Sequence, residues 1–529
     1  MNYKFALTAV TAAILASTCG AVTVVVDSAA PEVAGSSYQK LSTAMDYVNV
    51  NGTSLLTSNV ITIMSDQIPL DGEVVVNVPV TIEGDGNNNG VKCDILADVA
   101  SIQTTTTLKG QPERCYLEVQ ASSGTVTINN LKIHPNADNI TNSVDGIRTY
   151  KPVNAGETGD YVFNNVWVSG SNSSDQFLAL DTKVDLYGQA GVKRWSISPG
   201  TGGNTANAVI QVTSAGGSGT YKATLNNCHA GLGKQSAMNI PNANGTTVTG
   251  GLYGHSLRDG IRCSGNSITL TGSPTNRIRV LRVPNETGRD AHCVEVEGAN
   301  KVIKMEYVDV APIMSGNGFK FFGTSANGGV NLMRYCRAMG KLDNGANAMF
   351  FMTESCKADN VRNCTFVGSG SNYNPLETAG VYLGVAKFYD CIFTSENVGS
   401  LMIDNNVTTN PRFFTNCAMP TDLFTSESLS STQPVRNRIT GQSTNLPTMT
   451  NTIATSPHFV KVLADYDWSE SAVSVDGSNA LAGNPDVLRP AVSSAYRNAA
   501  SDGSDLTGGA GGSFPPIGAT AAQDWSHYQ

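Results

Sequence analysis

Tyr335-Cys336-Arg337-Ala338, Asn363-Cys364-Thr365-Phe366, Asp390-Cys391-Ile392-Phe393 and Asn416-Cys417-Ala418-Met419 are four copies of one short string. Each sets a polar or aromatic residue before a cysteine, then an unconstrained position, then a second apolar residue. The cysteines stand 28, 27 and 26 residues apart. A step that nearly constant is one coil of a solenoid. Earlier copies put an aliphatic residue or cysteine in the same place: Asn130-Leu131-Lys132-Ile133, Asn165-Val166-Trp167-Val168 and Asn227-Cys228-His229-Ala230. Weaker copies at Leu252, Val280 and Val308 fill the interval from Cys228 to Cys336 at steps of 24, 28, 28 and 28.

A second ladder runs in phase with the first. It comprises Gly146-Ile147-Arg148, Gly260-Ile261-Arg262, Val294-Glu295-Val296, Gly318-Phe319-Lys320-Phe321, Ala348-Met349-Phe350-Phe351, Gly380-Val381-Tyr382-Leu383 and Leu401-Met402-Ile403. These are strand-length runs bounded by Gly, Asn or Asp, and no helical period crosses the region. Two or three short strands per coil, stacked about 4.8 Å apart, predict an all-β parallel solenoid of roughly 11–13 coils.

With this string the chain resembles the pectin-lyase-like family of right-handed parallel β-helices, over roughly Val60 to Met419. The resemblance speaks to fold and implies a helical cap over the first coil. Tyr38, Leu41, Ala44, Met45 and Val48 supply one apolar helical face in the right place. Val60-Ile61-Thr62-Ile63 and Val80-Thr81-Ile82-Glu83 read as entry strands. The expected organisation is a signal peptide over 1–21, a cap over 22–59, the β-helix over 60–425, degenerate closing coils over 426–507, and a Gly-rich tail over 508–529.

Lys4, the apolar run Phe5 to Ala16 and the small residues up to Ala21 have the order of a secretory leader. Cys19 as a lipid-modified residue is the alternative, which Thr18 before it fits poorly. No window reaches the roughly 20 apolar residues a membrane-spanning helix needs, so an exported protein without a membrane span is expected. A net charge of −9 with only 15 % charged residues leaves no basic stripe and argues against nucleic acid as a partner.

The ladder cysteines are expected to face inward as small apolar side chains, although neighbouring coils bring their Cα atoms within disulfide range. Cys93 and Cys115 fall outside the string and are the disulfide candidates. No CxxC pair or Cys/His spacing suggests zinc. Acidic turns such as Asp85 among Asn87, Asn88 and Asn89, or Asp138 through Asp145, admit calcium as readily as an ordinary tight turn, so the metal is left unknown. No other cofactor is called for.

Many relatives in the resembled family cleave acidic polysaccharides, which sets a test. A polygalacturonase-like hydrolase needs paired carboxylates, yet the chain has no Asp-Asp, and Gly254-His255-Ser256 is only a fragment of a further motif. A pectate-lyase-like Arg-x-Pro-x-x-Arg fails because Arg289 comes two positions late after Arg282-Val283-Pro284. What remains is a dense mixed-charge patch holding Arg258, Asp259, Arg262, Arg282, Arg289, Asp290, His292, Glu295 and Glu297. Arg258, Asp259, Arg262, Arg282, Asp290 and Glu295 are the candidates for glycan binding. If the chain is an enzyme, Arg262, Glu295 and Lys320, stacked on one face, carry the lyase chemistry. A solvated ladder of opposite charges is the plainer explanation.

Missing catalytic motifs and a low-charge Asn/Thr/Ser/Gly surface favour a structural or adhesive protein of the cell exterior. Its expected partners are copies of itself, other surface components or a polysaccharide. Trp525, His527 and Tyr528 at the end of the glycine tether are the expected assembly contacts. A polysaccharide lyase or hydrolase, and a glycan-binding adhesin, are the alternatives.

Overall fold

The computed structural model describes residues 21–52, 59–98, 114–136, 144–169, 209–231, 236–241, 245–254, 259–265, 267–273, 276–281, 292–297, 301–311, 317–323, 329–339, 347–354, 356–368, 373–379, 386–395, 403–405, 412–415, 417 and 448–450. Among the described residues the chain winds through three sheets of 15, 11 and 11 strands, here called A, B and C. One coil shows the plan. Gly124–Asn129 lies in sheet A, Leu131–Pro135 in sheet B and Val144–Lys151 in sheet C, and Thr158–Asn164 returns to A beside Gly124–Asn129. The ladders between strands of successive coils are parallel throughout, so the molecule is an all-β parallel β-helix.

The residue before the core rung, most often Asn, makes the corner from sheet A to sheet B. Asn130, Asn165, Asn227, Tyr307, Tyr335, Asn363 and Asp390 all hold a left-handed backbone with φ between 49° and 56°. Asn and Asp tolerate that region because a short polar side chain bonds locally there. Stacked coils then link the amides. Asn165 Nδ2 donates to Asn130 Oδ1 at 2.8 Å, and Asn130 Nδ2 donates to Glu83 Oε1 at 2.8 Å. A parallel row runs from Asn226 to Asn164 to Asn129 and ends on Glu83 Oε2.

The residue after each corner points into the core. Register places Cys93, Leu131, Val166, Cys228, Gly251, Ile278, Val308, Cys336, Cys364 and Cys391 on this one ladder. Two sequence expectations are corrected here. The ladder passes through Gly251 and Ile278, not Leu252 and Val280. An even step of 28 hid true steps of 23, 27 and 30 from Cys228 to Val308, because loops between coils take up the difference. Gly251 leaves no apolar side chain to read, and a Cβ there would sit 2.0 Å from the Cys228 carbonyl oxygen.

The two disulfide candidates, Cys93 and Cys115, are not joined to each other. Both are free and buried. Cys93 opens a sheet B strand beside Leu131, whereas Cys115 lies in sheet C beside Asp145, so neither has a cysteine in register. In the second ladder, Ile147, Ile261, Val294, Phe319, Phe350 and Ile403 belong to sheet C as expected. The rung between Phe350 and Ile403 is Leu376, in the strand Tyr373–Ala379, and residues 380–383 lie outside the described residues.

The helix Leu41–Asn51 buries Leu41, Ala44, Met45 and Val48. Tyr38 is buried with them but belongs to a two-residue strand, Ser37–Tyr38, at the end of sheet A, a short edge of the kind that resists edge-to-edge pairing. Inward ladders of Val, Ile, Leu, Met and Phe fill the interior, where Phe350, Phe366, Phe388 and Phe393 cluster with contacting ring centroids 5.1–5.5 Å apart. Outward faces differ among the sheets. Sheet A alternates buried and half-exposed residues, while many outward residues of B and C, including Glu118, Asn239, Glu295, Arg279, Asp309 and Arg337, are themselves buried.

Candidate functional site

Arg262, Glu295 and Lys320 occupy adjacent rungs on the outward face of sheet C, as their spacing predicts. The corner that feeds these strands carries a second polar row, Asp259, His292 and Asn317, each two residues ahead of an inward rung and all buried. The rows meet at Lys320. Its Nζ lies 2.8 Å from His292 Nε2 and 3.0 Å from Glu295 Oε1, and Glu295 Oε1 is 3.7 Å from the same imidazole nitrogen. His292 is oriented from behind, with the Asn317 backbone N–H donating to Nδ1 at 3.1 Å and the His292 N–H donating to Asp259 Oδ1 at 3.3 Å.

Arg262 closes the patch. Its Nη2 donates to Glu297 Oε2 at 2.6 Å, and its Nε lies 3.7 Å from Glu295 Oε2. Burial disfavours the guanidinium charge, but Glu297, Glu295 and Asp259 outweigh burial and raise its pKa above the ordinary arginine value. The side chains of Arg262, Lys320 and Glu295 keep only 24 %, 13 % and 4 % of their exposure. A lysine, an imidazole and a carboxylate in mutual contact can move protons. To bind an acidic glycan here, however, Arg262 must first leave two carboxylates of its own chain. Arg258, Arg282 and Asp290 lie outside the described residues.

Sheet B carries a denser network, and its signal was present in the repeat. The unconstrained position of the string faces outward, stacking Trp167, His229, Leu252, Arg279, Asp309, Arg337 and Thr365 on consecutive coils. Asp309 is fully buried between two arginines. Arg277 Nε donates to Oδ2 at 2.7 Å, while Arg337 grips both oxygens at 2.8 and 2.6 Å. Burial alone would raise the Asp309 pKa, but the two guanidiniums hold it below the usual carboxylate range. Trp167 and His229 stack with centroids 4.5 Å apart, and Lys92 Nζ sits 3.9 Å from the indole centroid. Burial, with Arg279 and Lys92 adding repulsion, keeps His229 well below its ordinary pKa.

Among the described residues, one group can bring three metal-ligating atoms within 4.8 Å of one another: Glu73, Cys115 and Glu118. Burial pushes the Cys115 thiol well up, and it donates to Glu73 Oε1 at 3.1 Å. In the acidic turn, Asp85 accepts the backbone N–H groups of Asn89 and Gly90 at 2.9 and 3.1 Å. Asp145 is ion-paired with Arg148, and residues 138–143 lie outside the described residues.

Among the described residues no helix is long and apolar enough to cross a membrane. No protein-family model and no curated protein matches the chain.

Proposed function

We propose that the chain is a non-catalytic structural or adhesive β-helix of the cell exterior that self-assembles into a layer, tube or filament. The observation that carries this reading is the state of its charges. Arg262, Glu295, Glu297, Lys320, Arg277, Asp309 and Arg337 are paired with one another, an arrangement that rigidifies a rod. One outward row of sheet A is uncharged over six coils. Thr81, Thr127, Val162, Thr224, Thr247 and Thr269 stand there in register, beside the Asn129–Asn164–Asn226 row. Such a surface suits contact with another polar, uncharged surface. The amide corner string supports assignment to the pectin-lyase-like group at the level of architecture, and the leader-like residues 1–21 support export.

The assembly contacts proposed for Trp525, His527 and Tyr528 lie outside the described residues. Electron microscopy of the purified protein with and without residues 508–529 tests them. Polymers are expected from the full chain and not from the truncated one; monodisperse rods in both samples reject the assembly reading.

A second reading rests on the Lys320–His292–Glu295 contact, which suits a polysaccharide lyase or glycoside hydrolase acting on an acidic glycan. Pectic, alginate and glycosaminoglycan substrates, followed by unsaturated-product absorbance and reducing ends against an Arg262→Ala control, decide it. Binding without product assigns the protein to the adhesins.

A further inference from the structure

Four of the ten free cysteines among the described residues form a continuous file. Cys336, Cys364 and Cys391 are consecutive rungs of the core ladder, and Cys417 follows one 26-residue coil later. All four are fully buried. Cys364 neighbours both Cys336 and Cys391, and Cys391 neighbours Cys417. Each thiol also lies near a backbone carbonyl, Cys364 at 3.1 Å from Arg362 O and Cys391 at 3.2 Å from Tyr389 O, which holds the sulfurs in one column.

In-register neighbours on parallel strands have Cα atoms about 4.8 Å apart, inside the window of about 4.4–6.8 Å that a disulfide requires. The remaining rungs of the ladder lack this property. Cys228 is flanked by Val166 and Gly251, and Cys93 by Leu131.

We propose that Cys336–Cys364 and Cys391–Cys417 are two latent inter-coil cross-links, closed by thiol–disulfide exchange. A thiolate of one rung attacks a small disulfide such as oxidised glutathione, forming a mixed disulfide and releasing one reduced glutathione. The adjacent rung then attacks that mixed disulfide and releases the second, so two thiols and one oxidant disulfide yield one protein disulfide and two reduced thiols. Oxidant reaches the file when coils open locally. The linear order restricts pairing. Complete oxidation yields the outer pairs, since a Cys364–Cys391 bond strands both end thiols. Each bond staples one coil to the next across loops of 28 and 26 residues.

The test uses the whole folded protein, incubated with oxidised glutathione, acid-quenched, alkylated and mapped by mass spectrometry. Loss of four thiols is expected, with linked peptides joining Cys336 to Cys364 and Cys391 to Cys417, while Cys93 and Cys228 remain alkylated. The urea midpoint should rise and return on reduction. Cys364→Ser should leave Cys336 free and preserve the Cys391–Cys417 link. If that variant does not fold, the wild-type peptide map alone decides. Persistent full alkylation, glutathione adducts without protein disulfides, or links to Cys228 overturn the proposal.

Discussion

Replacing Asp309 by Ala leaves Arg277 and Arg337, themselves 3 % and 2 % exposed, facing each other without their shared carboxylate. Removing one partner of a buried ion pair costs about 3–5 kcal/mol, and here two guanidiniums lose it at once, so the upper part of that range is expected. The measurement is urea unfolding followed by far-UV circular dichroism, comparing midpoints at unchanged slope. Asp309→Asn should be nearly as damaging, because it keeps the shape but not the charge. Combining Asp309→Leu with Arg277→Leu and Arg337→Met should recover most of the loss, since no buried charge then remains. The pH dependence has a definite sign. The folded pKa of Asp309 is depressed, so its contribution is complete above the unfolded value of about 3.9 and fades only as pH falls through the lower folded value. The gap between wild type and variant should therefore be flat from pH of about 5 to about 8 and close only in stronger acid. A loss under about 1 kcal/mol, or a gap that closes near neutrality, refutes the account of Asp309 as the shared counter-ion of two buried arginines.

Other consequences follow from the corners, the core and the buried imidazole. Asn165→Val should cost about 1–2 kcal/mol in the same urea assay, because a β-branched residue resists φ of 56°, while Asn165→Gly should lose only the amide bond to Asn130. Phe350→Ala should cost about 3–5 kcal/mol, as its ring contacts Phe321, Phe366 and Phe388 and no exposed surface lets the site collapse. His229 is held neutral, with a folded pKa below the unfolded one. It favours folding above pH of about 6.5, and that contribution is lost as pH falls, by at most about 1.4 kcal/mol per unit. His229→Phe keeps the stack on Trp167 and should flatten that part of the stability–pH profile.

The repeat announced the fold because a β-helix returns to the same environment once per coil. The Asn before Leu131, Val166, Cys228 and Cys364, the thiols at Cys336, Cys364, Cys391 and Cys417, and the outward stack of Arg262, Glu295 and Lys320 all follow from spacing alone. Where loop length varied, spacing misled. Gly251 replaces a side chain with none, and Ile278 shifts by two positions, so both escaped an even step. Partner choice was out of reach for a different reason. Arg277, Asp309 and Arg337 are separated by 32 and 28 residues, and an ion pair across coils depends on which side chains the stack brings within about 3 Å and away from water. The same holds at Lys320, whose contact with His292 joins a strand to a corner of the preceding coil. Periodicity along the chain thus determined the architecture and the ladders. Which of the outward charges of sheets B and C pair with one another, as Arg262 does with Glu297 and Asp309 with Arg277 and Arg337, was decided only when the coils stacked.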